Sequence, residues 1–429
     1  MTTVERRTRP TRRRATLAAS VGNFVEWFDF GVYGFLAPVI ATQFFPASDG
    51  AAALLATFAI FGVAFLVRPI GGLVFGRLGD RIGRRATLSA VVLTMAIATT
   101  SIGLLPTFAA IGILAPILLT LARMVQGFSA GGETGGAVAY IVEHAPSARR
   151  GLFSSWVFFT QGLGGLCAAL VVTLLTSSLG PDGMAEWGWR VPFLLALPLG
   201  LVGLYLRVAV AESPRFHALA RADRLRPHPL RDTFVNHRPA LLRSVGIILT
   251  ATTLTQIITA YMPAYLTEEI GLAPDEALRA SVVGLAVFLV LCPMFGLLSD
   301  RRGRRPVMAL TPIAALVLAL PAFLLLSSGE PSSALLGGAL LGAAVAPFGG
   351  AGAAALAELF PTAVRYSGVS IAAAVASSII GGFTPLGLTW LVAATGAPLA
   401  PGWVVMGLGA LSLWATMMIR ETSHSELSD

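Results

Sequence analysis

Residues 22–33 read GNFVEWFDFGVY, inside an otherwise apolar run from Leu17 to Phe45. Two carboxylates and an amide are expensive in hydrocarbon unless each is paired or hydrated. A helix turns about 100° per residue, which puts Asn23, Glu26, Asp29, Phe30 and Tyr33 within an arc of roughly 120°. One face of this segment is therefore polar, and in a bilayer such a face looks into a bundle or a water-filled path. The chemistry available there is reversible protonation. Burial favours the neutral form of a carboxyl, and a neighbouring cation favours the charged form. A carboxylate that meets its cation in only one conformation can couple proton uptake to movement. Asp29 and Glu26 are the leading candidates for that role, with Glu133 third. A structural network that ties helices together is the competing reading.

A second polar stripe runs along residues 123–140. Arg123, Gln126, Glu133 and Tyr140 share an arc of about 100°, while Gly127, Gly131 and Gly135 form a separate ridge for close helix packing. Arg123 is read as the arginine placed well inside a span. It can clamp a carboxylate through its planar fork, or neutralise Asp29, Glu26 or Glu133. Gln161, Gln256, Tyr261, Thr252, Thr255 and Tyr265 are candidate uncharged linings of the path. With three acids set against one deep arginine, a multiply charged anion would be repelled. A monocarboxylate or a zwitterion fits more easily.

These residues need long helices to position them. The chain has 429 residues, 55% of them hydrophobic and 12% charged, with a mean hydropathy of +0.77. Soluble domains carry about 25% charged residues, so the expected class is an all-α membrane protein. Hydropathy predicts twelve spans, at about 17–44, 51–75, 86–105, 110–142, 151–179, 189–210, 241–267, 277–298, 306–327, 333–357, 367–394 and 401–419. The expected organisation is a basic tail over 1–16, a six-helix bundle over 17–210, a central loop over 211–240, a second bundle over 241–420 and a short tail over 421–429. The net charge of +8 comes from arginines in loops between spans, so it marks orientation and not nucleic-acid binding. By the positive-inside rule both termini are expected in the cytoplasm. Cys167 and Cys292 fall in separate spans, so no disulfide framework, metal site or cofactor is expected.

The two halves repeat. GRLGDRIGRR over 76–85 returns as GLLSDRRGRR over 296–305, and EHAPSARR over 143–150 returns as ELFPTAVR over 358–365. Two such matches, at offsets of about 220 and 215 residues, mark parallel six-span repeats, an architecture of secondary transporters. The motif Gly-x-x-x-Asp-Arg-x-Gly-Arg-Arg at Gly76, Asp80, Arg81, Gly83, Arg84 and Arg85 resembles the major facilitator superfamily. Within it the chain resembles the metabolite:proton symporters, through GNFVEWFDFGVYG, RPIGGLVFGRLGDRIGRR, RMVQGFSAGGE, WGWRVPFLLALPLGLVGLYLR, YMPAYLT and ELFPTAVRYSG. The proline/betaine branch is the nearest. Departures from that pattern are Thr134, where many relatives have an aromatic, and Ala373 and Ala374, where an aromatic and a polar residue are usual.

The resemblance implies twelve helices in two pseudo-symmetric bundles and alternating access in the inner (plasma) membrane. It implies proton-coupled uptake of a small organic acid or zwitterion, with the proton as coupling ion and the monomer as the working unit. A proton-antiport exporter is the alternative; such antiporters tend to carry a proline in span 5 that the stretch from Gln161 to Leu166 lacks. An enzyme would need an aqueous catalytic domain, and no loop is long enough for one. The loop motifs are expected to form a cytoplasmic gate. Asp80 would pair with Arg81 and Arg84, Glu143 with Arg365, Asp300 with Arg304, and Glu358 with Arg150, together with Gly76, Gly83 and Arg85.

Overall fold

The computed structural model describes residues 21–45, 50–82, 84–131, 133, 135, 137–138, 141–142, 145–208, 236–361 and 365–423. The basic tail, most of the central loop and the last six residues lie outside them. So do Gly83, Tyr140, Glu143, and the side chains of Asp80, Arg81, Arg84 and Arg85. Among the described residues there are helices and no strands.

Twelve spans are accounted for. Among the described residues, eight helices are long and apolar enough to cross a membrane, a bent pair makes a ninth, and three shorter apolar helices complete the set. Span 1 is the bent pair, Val21–Phe35 and Ala37–Phe44, which meet at 63°. Its bend has a local cause, because Pro38 has no N–H to give the carbonyl of Gly34. Spans 2 to 4 are Gly50–Ile82, Arg84–Leu104 and Leu114–Ala130 with its continuation toward Val142. Span 5 is Arg150–Gly183 and span 6 comprises Arg190–Leu194 and Ala196–Val208. Span 7 begins as Arg238–Gln256 and continues through π-helical turns at Ile257–Tyr261 and Tyr265–Glu269. Spans 8 to 10 are Pro274–Arg302, Arg304–Leu326 and Pro331–Glu358. Span 11 joins Arg365–Ala376 to Thr384–Thr395 through a π-helical turn at Ser377–Gly381, and span 12 is Ala400–Met417.

The sequence repeat is a structural repeat. Spans 8 and 9 break at Gly303, the motif's second glycine, and the first copy of the motif likewise lies where span 2 gives way to span 3. Gly303 has φ 103°, where a side chain would be strained. Small residues let matching helix pairs approach closely. A Cβ at Gly127 or Gly131 of span 4 would run into the carbonyls of Ala64 and Arg68 on span 2. In the second half a Cβ at Gly338 or Gly342 of span 10 would strike Ala280 and Gly284 on span 8. Such packing suits helices in lipid, where apolar side chains gain little by leaving the hydrocarbon. Leu66, Ile70, Leu174, Val290, Val317, Trp390 and Trp403 stay exposed around the outside, as a bilayer requires.

Candidate functional site

A cavity lies between the halves. Spans 1, 2, 4 and 5 line it from the first half, and spans 7, 8, 10 and 11 from the second. Its polar wall includes Arg68, Gln161, Thr252, Thr255, Gln256, Ser370 and Ser377, and its rings are Trp27, Phe65, Phe158, Phe288 and Phe348. About 1300 Å³ is free of protein atoms, part of it continuous with solvent. Ala373 and Ala374, the departures in span 11, both face it. Among the described residues, Arg68 is the one charged member of that lining.

Prolines help shape the wall. Pro69 cannot donate to the Phe65 carbonyl one turn back, and the hydroxyl of Ser378, from the other half, donates to it at 2.7 Å. Pro385 likewise leaves the Gly381 carbonyl without its helical donor, and Gln256 Nε2 supplies one at 3.0 Å. The interrupted turns of spans 7 and 11 therefore meet each other through Gln256.

The polar face of span 1 turns mainly into its own bundle. Asn23 donates to the Val157 carbonyl at 2.8 Å and accepts from Gln161 at 3.1 Å, which ties span 1 to a cavity-lining residue. Glu26 is fully buried and pairs with Arg68, Nη2 to Oε1, at 2.8 Å. Asp29 accepts from Thr99 at 2.8 Å, Thr99 accepts from Gln126 at 2.6 Å, and Gln126 accepts from Arg123. Asp29 and Arg123 thus communicate through two neutral side chains without an ion pair of their own. The Arg123 guanidinium lies 4.1 Å from the Tyr33 ring centroid, and the Tyr33 hydroxyl donates to the Thr57 carbonyl at 3.1 Å.

Two charge systems result, divided by an aromatic layer. Phe30 carries the Arg68 guanidinium at 4.4 Å and that of Arg123 at 4.9 Å. Neither Glu26 nor Asp29 lines the cavity, contrary to the expectation that their face borders the path directly. Each carboxylate instead turns to the hydrogen-bond donor within reach, since a carboxylate left bare inside a dry bundle costs more than any packing gain. Arg123 stands away from the cavity wall as well, among rings and Gln126. Arg68, a cavity-lining cation paired with Glu26, was not among the residues expected from the sequence, and it brings the deep arginines among the described residues to two. The signal was present: Arg68 sits mid-run about two turns before the loop motif, outside the loops that set orientation. Glu133 is buried between the lining residues Gly131 and Gly135. Gln161 and Gln256 line the cavity, whereas Tyr261 stacks on Tyr265 at 5.4 Å and does not.

At the arginine-rich end a second cluster joins the halves. Asp300 accepts from the backbone N–H groups of Gly151 and Leu152, at 2.7 and 2.9 Å, and so caps span 5 from the other bundle. Arg304 pairs with Asp300 at 2.7 Å and with Glu358 at 3.4 Å, and Arg150 lies 3.9 Å from Glu358. Arg365 donates to the Ala357 carbonyl at 2.8 Å. Glu421 then caps span 9, accepting from the N–H of Arg304 at 2.8 Å and of Arg305 at 3.0 Å. Burial alone would raise the Glu421 pKa, but the backbone donors of Arg304, Ser423 and Arg305 outweigh it and hold it below the usual range. The expected gate partners Asp80, Arg81, Arg84, Arg85, Gly83 and Glu143 fall outside the described side chains. At the opposite end Gly34 packs against Thr259 and Ala260, and Gly62 against Phe383. The halves therefore touch at both ends of the cavity.

The profile of the Major Facilitator Superfamily matches residues 19–385. The proline/betaine transporter of Salmonella typhimurium is 39% identical over 424 residues, covering 97% of this chain and 85% of that protein. The glycine betaine/proline/ectoine/pipecolic acid transporter OusA of Dickeya dadantii is 38% identical, covering 97% and 84%. The xylose transporter XylE of E. coli, in a partially occluded inward-open conformation, superposes with a TM-score of 0.78 at 18% identity, covering 97% and 100%.

Proposed function

The chain belongs to the major facilitator superfamily, and on that premise we propose that it takes up a small monocarboxylate or zwitterion, of the proline/betaine kind, by proton-coupled symport. One observation carries the reading. Among the described residues the cavity presents a single guanidinium, Arg68, on a wall of aromatic rings and aliphatic side chains with a few hydroxyls and amides. A carboxylate suits the guanidinium, and an ammonium without spare N–H donors suits the rings. A di- or tricarboxylate would leave charge unmatched there.

The rest of the site fits alternating access. Glu26 and Asp29 supply carboxyl groups behind the wall, and contacts at the two ends can break in turn. Each set of end contacts must be worth only a few kcal/mol net, or one state would trap the cycle. Arginines in the loops support an orientation with both termini in the cytoplasm.

Proteoliposomes given an inward proton gradient provide the test. They should accumulate proline or glycine betaine above equilibrium, and collapse of the gradient should release it. Accumulation of citrate in preference to both would sink the substrate class, and expulsion driven by the same gradient would favour the exporter.

A further inference from the structure

Resting on the transport reading above, we infer that the solute carboxylate and the Glu26 carboxylate take turns on the Arg68 guanidinium, and that the coupling proton enters at Glu26 when it is displaced. Arg68 reaches both sides. It lines the cavity, yet it holds Glu26, which does not line it, at 2.8 Å. Its Nε has no acceptor among the described residues, so the fork is not saturated by Glu26. The rings of Phe30 and Phe65, each 4.4 Å from the guanidinium carbon, fix its place. Arg68 can change partners more easily than it can move.

Loss of the partner then favours the proton. In the empty site Arg68 compensates Glu26. A solute carboxylate that takes Arg68 leaves Glu26 as a buried anion while the solute's own cation stays on the rings, and a buried charge without its partner is strongly disfavoured. One proton, given up by a hydronium ion whose O–H bond breaks to leave water, forms the new O–H bond on a Glu26 carboxylate oxygen and discharges it. The surroundings favour this outcome. Asp29, one turn along span 1, is a second carboxyl, engaged by Thr99. Glu133 on span 4 is a further acid at the cavity's edge, and Arg123 on the same span donates to Gln126 and lies against Tyr33, with the Phe30 ring between it and Arg68. Span 5 offers the neutral Thr160 and Gln161 through Asn23. The inference fixes a stoichiometry of one proton per solute carboxylate.

Purified full-length protein in detergent, titrated with glycine betaine in weakly buffered solution, tests it. A pH dye should read about one proton taken up per ligand bound, and Kd should rise about tenfold per pH unit once the free site is ionised. An infrared difference spectrum should gain the C=O band of a protonated carboxyl on ligand addition. Proton uptake, pH slope and band should all vanish in Glu26→Gln. Choline, which has the cation without the carboxylate, should cause no uptake. Betaine binding without proton uptake overturns the exchange and leaves the transport reading standing. Failure of betaine, proline and every monocarboxylate to bind overturns both. Persistence of uptake in Glu26→Gln also refutes the exchange. Should that variant not fold, the wild-type infrared band decides alone, and its absence is a refutation.

Discussion

Among the described residues, the first bundle buries Glu26, Asp29, Arg68, Arg123 and Glu133 in the middle of its spans and Arg150 at the arginine-rich end, whereas the second buries Arg304 and Arg365 at that end. Around the cavity the second bundle offers hydroxyls, Gln256 and two π-helical turns where span interiors are interrupted. Yet both bundles share one scaffold, with the same loop motif after the second span and the same small-residue packing of second against fourth. The difference shows that a duplicated fold can divide its labour. Among the described residues, the charges in the middle of the spans sit in one copy. The other supplies a neutral, deformable wall, since π turns are frequent where helices serve a function.

The contrast can be broken most sharply at Arg68. Arg68→Ala removes the partner of a buried carboxylate, so it should abolish accumulation and destabilise the protein by about 3–5 kcal/mol. Arg68→Lys should recover part of the stability and little of the transport, because a point charge replaces a fork. Uptake and thermal melting read the two effects separately; full accumulation in Arg68→Ala would end the idea that ionic work lies in the first bundle.

The end cluster should give the next largest effect. Asp300→Ala removes two charge-assisted bonds to the start of span 5, worth about 1.5–3 kcal/mol each when no water replaces them. Opening at the arginine-rich end should therefore rise at least about tenfold, as measured by spin-label distances across spans 5 and 8. An unchanged distance distribution would mean that the cluster serves folding alone.

Gly127→Ala and Gly342→Ala compare the copies directly. Each added methyl meets a carbonyl of the paired span, so each should cost about 1–3 kcal/mol. Similar losses in melting would uphold the shared scaffold, and a loss in one half only would divide it.

The smallest effect belongs to Glu421. Its charge at the start of span 9 should contribute about 0.3–1 kcal/mol. A carboxyl whose folded pKa is held below its unfolded value stabilises above the unfolded value and loses that contribution as pH falls through the folded one. The melting difference between wild type and Glu421→Gln should be constant near neutral pH and disappear on acidification below the ordinary glutamate range.

Much of this was legible beforehand. Twelve spans, the repeat and the glycine ridge of span 4 follow from hydropathy and spacing, because lipid forces every backbone group into a helix and leaves the pattern unobscured. That Gln161 and Gln256 belong near one cavity could be read from polar residues in otherwise apolar runs. Arg68 could not be ranked, because its value lies in facing Glu26 on one side and the cavity on the other. Tyr261 looked equivalent to Gln256, and only the turn of span 7 separates them.

What the sequence determined by itself was the cost: acids and arginines at fixed heights in apolar helices must find partners. Which partners they find was a tertiary decision. Glu26 takes Arg68, Asp29 takes Thr99, and Asp300 crosses to the other bundle, because helix rotation and the shape of the aromatic layer set the distances. Periodicity along one helix fixes direction relative to that helix alone, and pairing energies fall within the few ångströms that packing decides.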